Sequence, residues 1–305
     1  MTLSGQRVAV TGATGFLGSH VVRRLSGDGA TVRAVFRNPD KGRHLGEAGF
    51  ETAIADLADP DAMARAFEGC DAVVNTAALS TREPATWEAF YQANAEGSDH
   101  LLDALATAGV RRLVYVSTTA VYRVRPFRRH REDTPILGHE GERVGLARFI
   151  TNPRYALSKA IGERRVRERG ATESIALTVL RPGPIYGSND HKMTSMYARW
   201  MRWPVFPAPT FRMNHVHAGD VAGAIAGALA NPASHGRAYN VTGPCVSLWE
   251  VLRTWKRKVG RGPVLLPVPV PVWVDFDDGA AARDLGFRPR SVAEGIDEVL
   301  ERGLP

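Results

Sequence analysis

Cysteine is nearly absent from this sequence: Cys70 and Cys245 are the two thiols in 305 residues. That is too few for a disulfide framework or a thiolate metal site. No run of about 18 apolar residues occurs, so no helix is expected to cross a membrane. The chain runs from Met1 to Arg7 and then into a β-rich stretch, so no leader peptide is expected and a cytoplasmic protein is. Lysine is scarce, five of the 39 basic residues, and arginine makes up the rest. The formal net charge is +7, yet the bases are scattered and no recognition motif accompanies them, so no nucleic-acid partner is expected. The one dense group, Arg123, Arg125, Arg128, Arg129 and Arg131, reads as a solvated loop or as a gate that draws in an anionic ligand. Hydrophobic residues make up 44% and there are six tryptophans, which excludes disorder. A chain of this length buries a sizeable core without staples.

Strand and helix patterns alternate over the first half. Arg7–Thr11, Thr31–Phe36, Glu51–Ala55, Asp71–Asn75 and Leu113–Ser117 read as strands. Helical spacing covers Phe16–Leu25, 60–68 and 84–108, and a helix at about 153–169 and a strand at 174–180 extend the series. This order predicts an α/β fold, a Rossmann-type doubly wound parallel sheet covered on both faces. After Arg181 the texture changes: three prolines in 203–209 and four in 263–271 exclude central strands and helix interiors there. The expected division is a dinucleotide-binding domain over 1–182, with a returning segment at about 212–242. A smaller C-terminal substrate-binding lobe then comprises 183–211 and 243–305.

The segment Thr11-Gly-Ala-Thr-Gly-Phe-Leu-Gly18 follows a strand and opens a helix. Glycine at 12, 15 and 18 permits a tight turn and close backbone approach, and the helix N-terminus offers free N–H groups to a pyrophosphate. Gly12, Thr14, Gly15, Phe16, Leu17 and Gly18 are therefore cofactor-site candidates. Where an NAD site carries an acid at the end of the second strand, this chain has Arg37, with Lys41 nearby. A cation there grips a 2′-phosphate, so NADP(H) is favoured over NAD(H). Tyr155 and Lys159 lie one turn apart behind Asn152-Pro153, a helix start. Lysine and an oxidised nicotinamide are expected to lower the phenol pKa so that it exchanges a proton with a substrate oxygen. Ser117, Thr118 and Thr119 end a strand where parallel sheets bind ligands, and one of these hydroxyls can hold that oxygen.

Together these elements resemble the extended short-chain dehydrogenase/reductase family, with its NAD-dependent epimerase/dehydratase branch, over nearly the whole chain. Thr-Gly-x-x-Gly-x-x-Gly at 11–18 is similar to its cofactor turn, Asp56-Leu57 to its adenine-side motif, and Asn75-Thr-Ala-Ala78 to its fourth-strand motif. Thr118, Tyr155 and Lys159 match its catalytic positions. Leu180-Arg-Pro-Gly-Pro-Ile-Tyr-Gly187, Val216-His-Ala-Gly-Asp-Val-Ala222, Gly236-Arg-Ala-Tyr-Asn240 and Asp284-Leu-Gly-Phe-Arg-Pro289 follow in the family's order. The resemblance implies that Asp56, Leu57, Ala77 and Pro182 contact the cofactor and that Lys159 also binds the nicotinamide ribose. It implies that Asn94 helps hold a link to that lysine; a helix–helix hydrogen bond is the alternative. It also implies a homodimer pairing the helices at 84–108 and 153–169.

Departures from the family pattern bear on the substrate. Thr119 and Ala120 stand where sugar-nucleotide dehydratases carry Asp-Glu, Pro184 stands where epimerases carry asparagine, and Arg212 is one position from their diphosphate arginine. Arg-Pro-Gly-x-x-Tyr-Gly and the step of 37 positions from Thr118 to Tyr155 look more like the hydroxysteroid dehydrogenase and dihydroflavonol reductase side. His191, Lys192, Met193, Met196, Tyr197, Trp200 and Trp203 form a pocket wall or a helical core and surface. His215 and His217 alternate on a strand, but with no third ligand no metal site is expected. The expected activity is an NADP(H)-dependent oxidoreductase moving a hydride between nicotinamide and a carbonyl or secondary alcohol of a small molecule. The alternatives are an NAD(P)-dependent epimerase acting on a sugar or sugar nucleotide, and a non-catalytic NADP(H)-binding regulatory protein.

Overall fold

A computed structural model describes residues 3–80, 85–138, 151–190 and 193–302. The first half alternates β1 (Arg7–Thr11), α1 (Phe16–Gly27), β2 (Thr31–Phe36), α2 (Pro39–Glu47), β3 (Glu51–Ile54), α3 (Pro60–Phe67) and β4 (Ala72–Asn75). Then come α4 (Trp87–Tyr91), α5 (Gly97–Ala108), β5 (Arg112–Val116), β6 (Arg128–His130), α6 (Pro153–Thr172) and β7 (Ala176–Pro182). The remainder comprises β8 (Ile185–Tyr186), α7 (Met193–Trp200), β9 (Val205–Pro209), β10 (Arg212–Asn214), β11 (Val216–His217), α8 (Ala218–Ala230), β12 (Arg237–Val241) and β13 (Cys245–Ser247). It ends with α9 (Leu248–Val259), β14 (Val264–Val268), β15 (Val274–Phe276), α10 (Gly279–Leu285) and α11 (Val292–Glu301).

Seven strands form one parallel sheet in the order β12-β7-β5-β4-β1-β2-β3. The fold is the Rossmann-type doubly wound sheet. The chain runs outward from β1 to β3 and then returns to place β4 on the other side of β1, which opens a crevice at the carboxyl ends of both strands. Period-two alternation divides the core. Val8 and Val10 of β1 face α1 and α8 through Val21, Val221 and Ile225, whereas Ala9 faces α3 and α5 through Phe67, Leu101 and Leu105.

The helix expected over 84–108 is interrupted. Between α4 and α5 the residues Gln92–Glu96 form a π-helical turn, a widening that recurs at functional sites. Gly162 of α6 packs against it so closely that a Cβ there would lie 2.1 Å from the Asn94 carbonyl oxygen. The proline-rich stretches form a two-stranded parallel ribbon, β9 with β14, outside the main sheet. Its inner residue Phe206 joins Tyr197, Leu252, Trp255, Ile296 and Val299 in a separate apolar cluster of α7, α9 and α11. Trp203 is 50% exposed on the outside. Among the described residues no helix is long and apolar enough to cross a membrane.

Candidate active site

A cleft of about 1120 Å³ runs from the turn after β1, past the ends of β4 and β5, to α7 and β15. Its first part is a cradle for a flat anionic ligand. Gly12 has φ +68, and a Cβ on it would meet the Ala77 backbone at 2.9 Å. A Cβ on Gly18 would lie 2.1 Å from the Gly12 carbonyl oxygen, so only glycine lets α1 come this near the turn. No side chain caps α1 and its first turn has no acid, which leaves the N–H groups and the positive dipole end available to phosphate. Gly12, Thr14, Gly15, Phe16, Leu17, Gly18 and Pro182 line the cleft, as do Thr76 and Ala78 on either side of Ala77. Glycine spacing, free helix end and flanking small residues fit a dinucleotide.

Tyr155 and Lys159 project from one face of α6, and both line the cleft with Thr118. Asn152 starts this helix by accepting from the Arg154 N–H at 2.9 Å, with Pro153 in the first turn. Thr118 stands beside the Tyr155 phenol and favours its ionised form. Thr118 Oγ1 accepts from the Ala120 N–H at 3.2 Å, which fixes its rotamer. Burial raises the Tyr155 pKa, and the opposing effects of Lys159 and Thr118 do not overcome it. The lowering expected from the sequence included the charge of an oxidised nicotinamide as well as that of Lys159. Lys159 is fully buried; its Nζ donates to the Val116 carbonyl at 2.9 Å and to Tyr115 Oη at 3.2 Å, and lies 4.4 Å from the Tyr115 ring centre.

Two hydrogen-bond systems hold these groups from behind. Asn94, buried in the π-turn, accepts from the Leu79 N–H and donates to the Leu79 carbonyl and, at 2.9 Å, to Ser158 Oγ. It ties the segment after β4 to Ser158 of α6, the residue before Lys159. Ser117 is also turned inward. Its hydroxyl donates at 2.6 Å to Glu163, one turn beyond Lys159, and is unavailable to a substrate oxygen. Glu163 and Arg181 form a fully buried ion pair, and Arg181 Nη1 donates to Tyr122 Oη at 2.7 Å and to the Glu132 carbonyl. Tyr122 in turn donates to Asn240 at 2.7 Å. Sequence reading did not find this network, although the i, i+4 spacing from Lys159 to Glu163 was visible.

At the far end of the cradle the cations are not arranged as expected. Arg37 is exposed and stands 3.9 Å from Asp56, and neither lines the cleft. Asp56 accepts from the Ala58 N–H, and the Leu57 carbonyl bonds His100 Nδ1. Lys41, His44 and Arg23 do line the cleft; the last two were missed because they lie outside the motif. In the arginine-rich segment, Arg129 pairs with Asp275 and Asp277, and Arg131 with Asp277, tying β6 to β15. Met193, Met196, Tyr197 and Trp200 line the cleft and Trp203 does not; His191 and Lys192 lie outside the described residues. His217 bonds Glu298 at 3.0 Å, and His215 bonds the Met213 carbonyl.

The sequence matches the NAD dependent epimerase/dehydratase family over residues 8–242. The chain belongs to that family. Among its relatives, a 2-alkyl-3-oxoalkanoate reductase of Stenotrophomonas maltophilia (strain K279a) is 33% identical over 64% of this chain and 56% of that protein. Cinnamoyl-CoA reductase 2 of Arabidopsis thaliana is 32% identical over 61% and 57%, so the chain spans little more than half of either relative. A ceramide reductase of Caulobacter vibrioides (strain NA1000 / CB15N) is 28% identical over 87% and 74%. Among solved structures, a UDP-glucose-4-epimerase from Stenotrophomonas maltophila with bound NAD superposes with TM-score 0.79 at 21% identity, covering 97% of each chain. At that identity the likeness establishes the fold this family member shares, an extended short-chain dehydrogenase/reductase fold.

Proposed function

We propose that this chain is an NADP(H)-dependent oxidoreductase that reduces a carbonyl group of a small molecule to a secondary alcohol. The observation that carries the reading is the placement of the Tyr155 phenol with Thr118 and Lys159 along the same cleft as the glycine turn. A proton donor of this kind suits reduction, because the oxygen of a carbonyl gains a proton as its carbon gains a hydride. A bound nicotinamide supplies the hydride. Tyr155 Oη delivers the proton to the substrate oxygen, and Thr118 Oγ1 orients that oxygen. Lys159 binds the nicotinamide ribose and holds positive charge beside the phenolate left behind. Gly12 to Gly18 bind the pyrophosphate through backbone N–H groups. The part up to 182, with β12 returned to the sheet, is the dinucleotide-binding domain, and residues 183–211 and 243–305 form the substrate-binding lobe.

Lys41, with Arg37 outside it, makes the far end of the cradle basic and favours a 2′-phosphate. The reductase names of the relatives agree with the direction. Thermal-shift titration tests the cofactor, since a ligand that binds the folded chain raises its apparent stability. NADPH should stabilise more than NADH at equal concentration, and Lys41→Ala should narrow the gap. A larger shift with NADH would overturn the assignment.

A further inference from the structure

The half of the cleft beyond Pro182 is walled by Met193, Met196 and Trp200 of α7, Phe211 and Met213 around β10, and Phe276 of β15. Trp200 is backed by Phe206 at a ring-centre distance of 4.7 Å. Rings and thioethers make a large apolar wall that adapts to shape. Among the described residues no lysine or arginine lines this half. Arg212, between Phe211 and Met213, is exposed and donates to the Cys245 carbonyl. The buried carboxylate of Asp190 accepts from the N–H groups of Met193 and Thr194 and so starts α7. Phosphate placed against such a wall would lose hydration without gaining a counter-charge.

Asn189, Asp190, Asn214 and His215 are the polar side chains among the described residues that line this half. His215 lines the cleft, only 5% of it is exposed, and its Nδ1 stands 3.1 Å from the Met213 carbonyl oxygen. A carbonyl only accepts, so Nδ1 carries the hydrogen, and Nε2 presents a bare lone pair with no partner among the described residues. Burial keeps this ring neutral at neutral pH.

Resting on the carbonyl-reductase reading, we propose that this lobe selects substrates with a large, uncharged apolar group carrying one hydrogen-bond donor for His215 Nε2, and rejects phosphorylated ones. Calorimetric binding to the NADP+-loaded protein tests it, with reduction of the same compounds by NADPH followed separately. The ligands are straight-chain methyl ketones from butanone to decanone, long-chain hydroxyketones with their methyl ethers, and UDP-glucose. Affinity should rise about fourfold per added methylene over the buried part of the chain. The best hydroxyketone should bind about fivefold tighter than its ether, and His215→Phe should erase that ratio while keeping the chain-length slope. Both ratios are internal to each protein, so altered stability of the variant does not affect them. A flat chain-length series, an unchanged hydroxyl ratio in His215→Phe, or UDP-glucose binding as tightly as decanone would overturn the proposal even with ketones turned over. A steep binding series without any reduction would instead sink the reductase reading.

Discussion

Replacing Glu163 with glutamine is the most informative single change to the framework behind the site. Both partners of the Glu163–Arg181 pair are buried, at 0% and 1% side-chain exposure. Arg181 Nε lies 3.1 Å from each carboxylate oxygen, and Nη1 is already committed to Tyr122 and the Glu132 carbonyl. Glu163→Gln keeps the volume and one acceptor but leaves a guanidinium in the interior without its counter-charge. Removing one member of a buried pair costs about 3–5 kcal/mol. In a chain of this size that is a Tm drop on the order of 10 °C. The double change Glu163→Gln/Arg181→Met removes the stranded charge and should recover at least half of the loss. Urea unfolding followed by tryptophan fluorescence measures each variant. A loss below about 1 kcal/mol for Glu163→Gln, or strictly additive losses in the double variant, would refute the claim that this pair anchors β7, α6 and the segment around Tyr122.

Gly18→Ala should reduce stability by about 1–3 kcal/mol and abolish dinucleotide binding, because its Cβ would fall 2.1 Å from the Gly12 carbonyl oxygen. Gly27→Ala in the same helix, with nothing within 4 Å of the added Cβ, should be neutral or stabilising by up to about 1 kcal/mol; thermal melts with and without NADPH separate the two. His215 has its pKa pushed down to about 4 by burial, from the ordinary 6.5, so the unfolded chain takes up the proton first as pH falls. Its contribution is full above pH ~6.5 and fades towards pH ~4, by about 3 kcal/mol. As pH falls through that window the protein should lose stability relative to His215→Phe, and parallel curves would show the ring is not held neutral.

The sheet was legible because short continuous apolar runs, buried on both faces, alternate with helical patterns in order. Helix α2 went unread although Asn38-Pro39 is the same helix start as Asn152-Pro153, with Asn38 accepting from the Asp40 and Lys41 N–H groups. Its nine residues average strongly polar and bury only Gly42 and Leu45, so periodicity was too weak to show it. The Gly12–Gly18 turn and the Tyr155/Lys159 pair follow from local spacing, Thr118 from the family resemblance, and all line one cleft. What spacing could not give was side-chain commitment. Ser117 and Thr118 are adjacent hydroxyls at one strand end, yet one is taken by Glu163 and the other faces Tyr155. Likewise Arg37 sits at the expected place but projects into solvent beside Asp56, whereas Lys41, one helical turn further, reaches the cleft. The raised phenol pKa came from burial, a tertiary property absent from a four-residue motif.

Tyr155→Phe tests the central claim, that the phenol proton is transferred to a substrate oxygen. With NADPH and a long-chain ketone, kcat should fall by about 10²–10⁴ while Tm and NADPH affinity stay unchanged. Undiminished turnover in this variant would show that another group supplies the proton and would contradict the account.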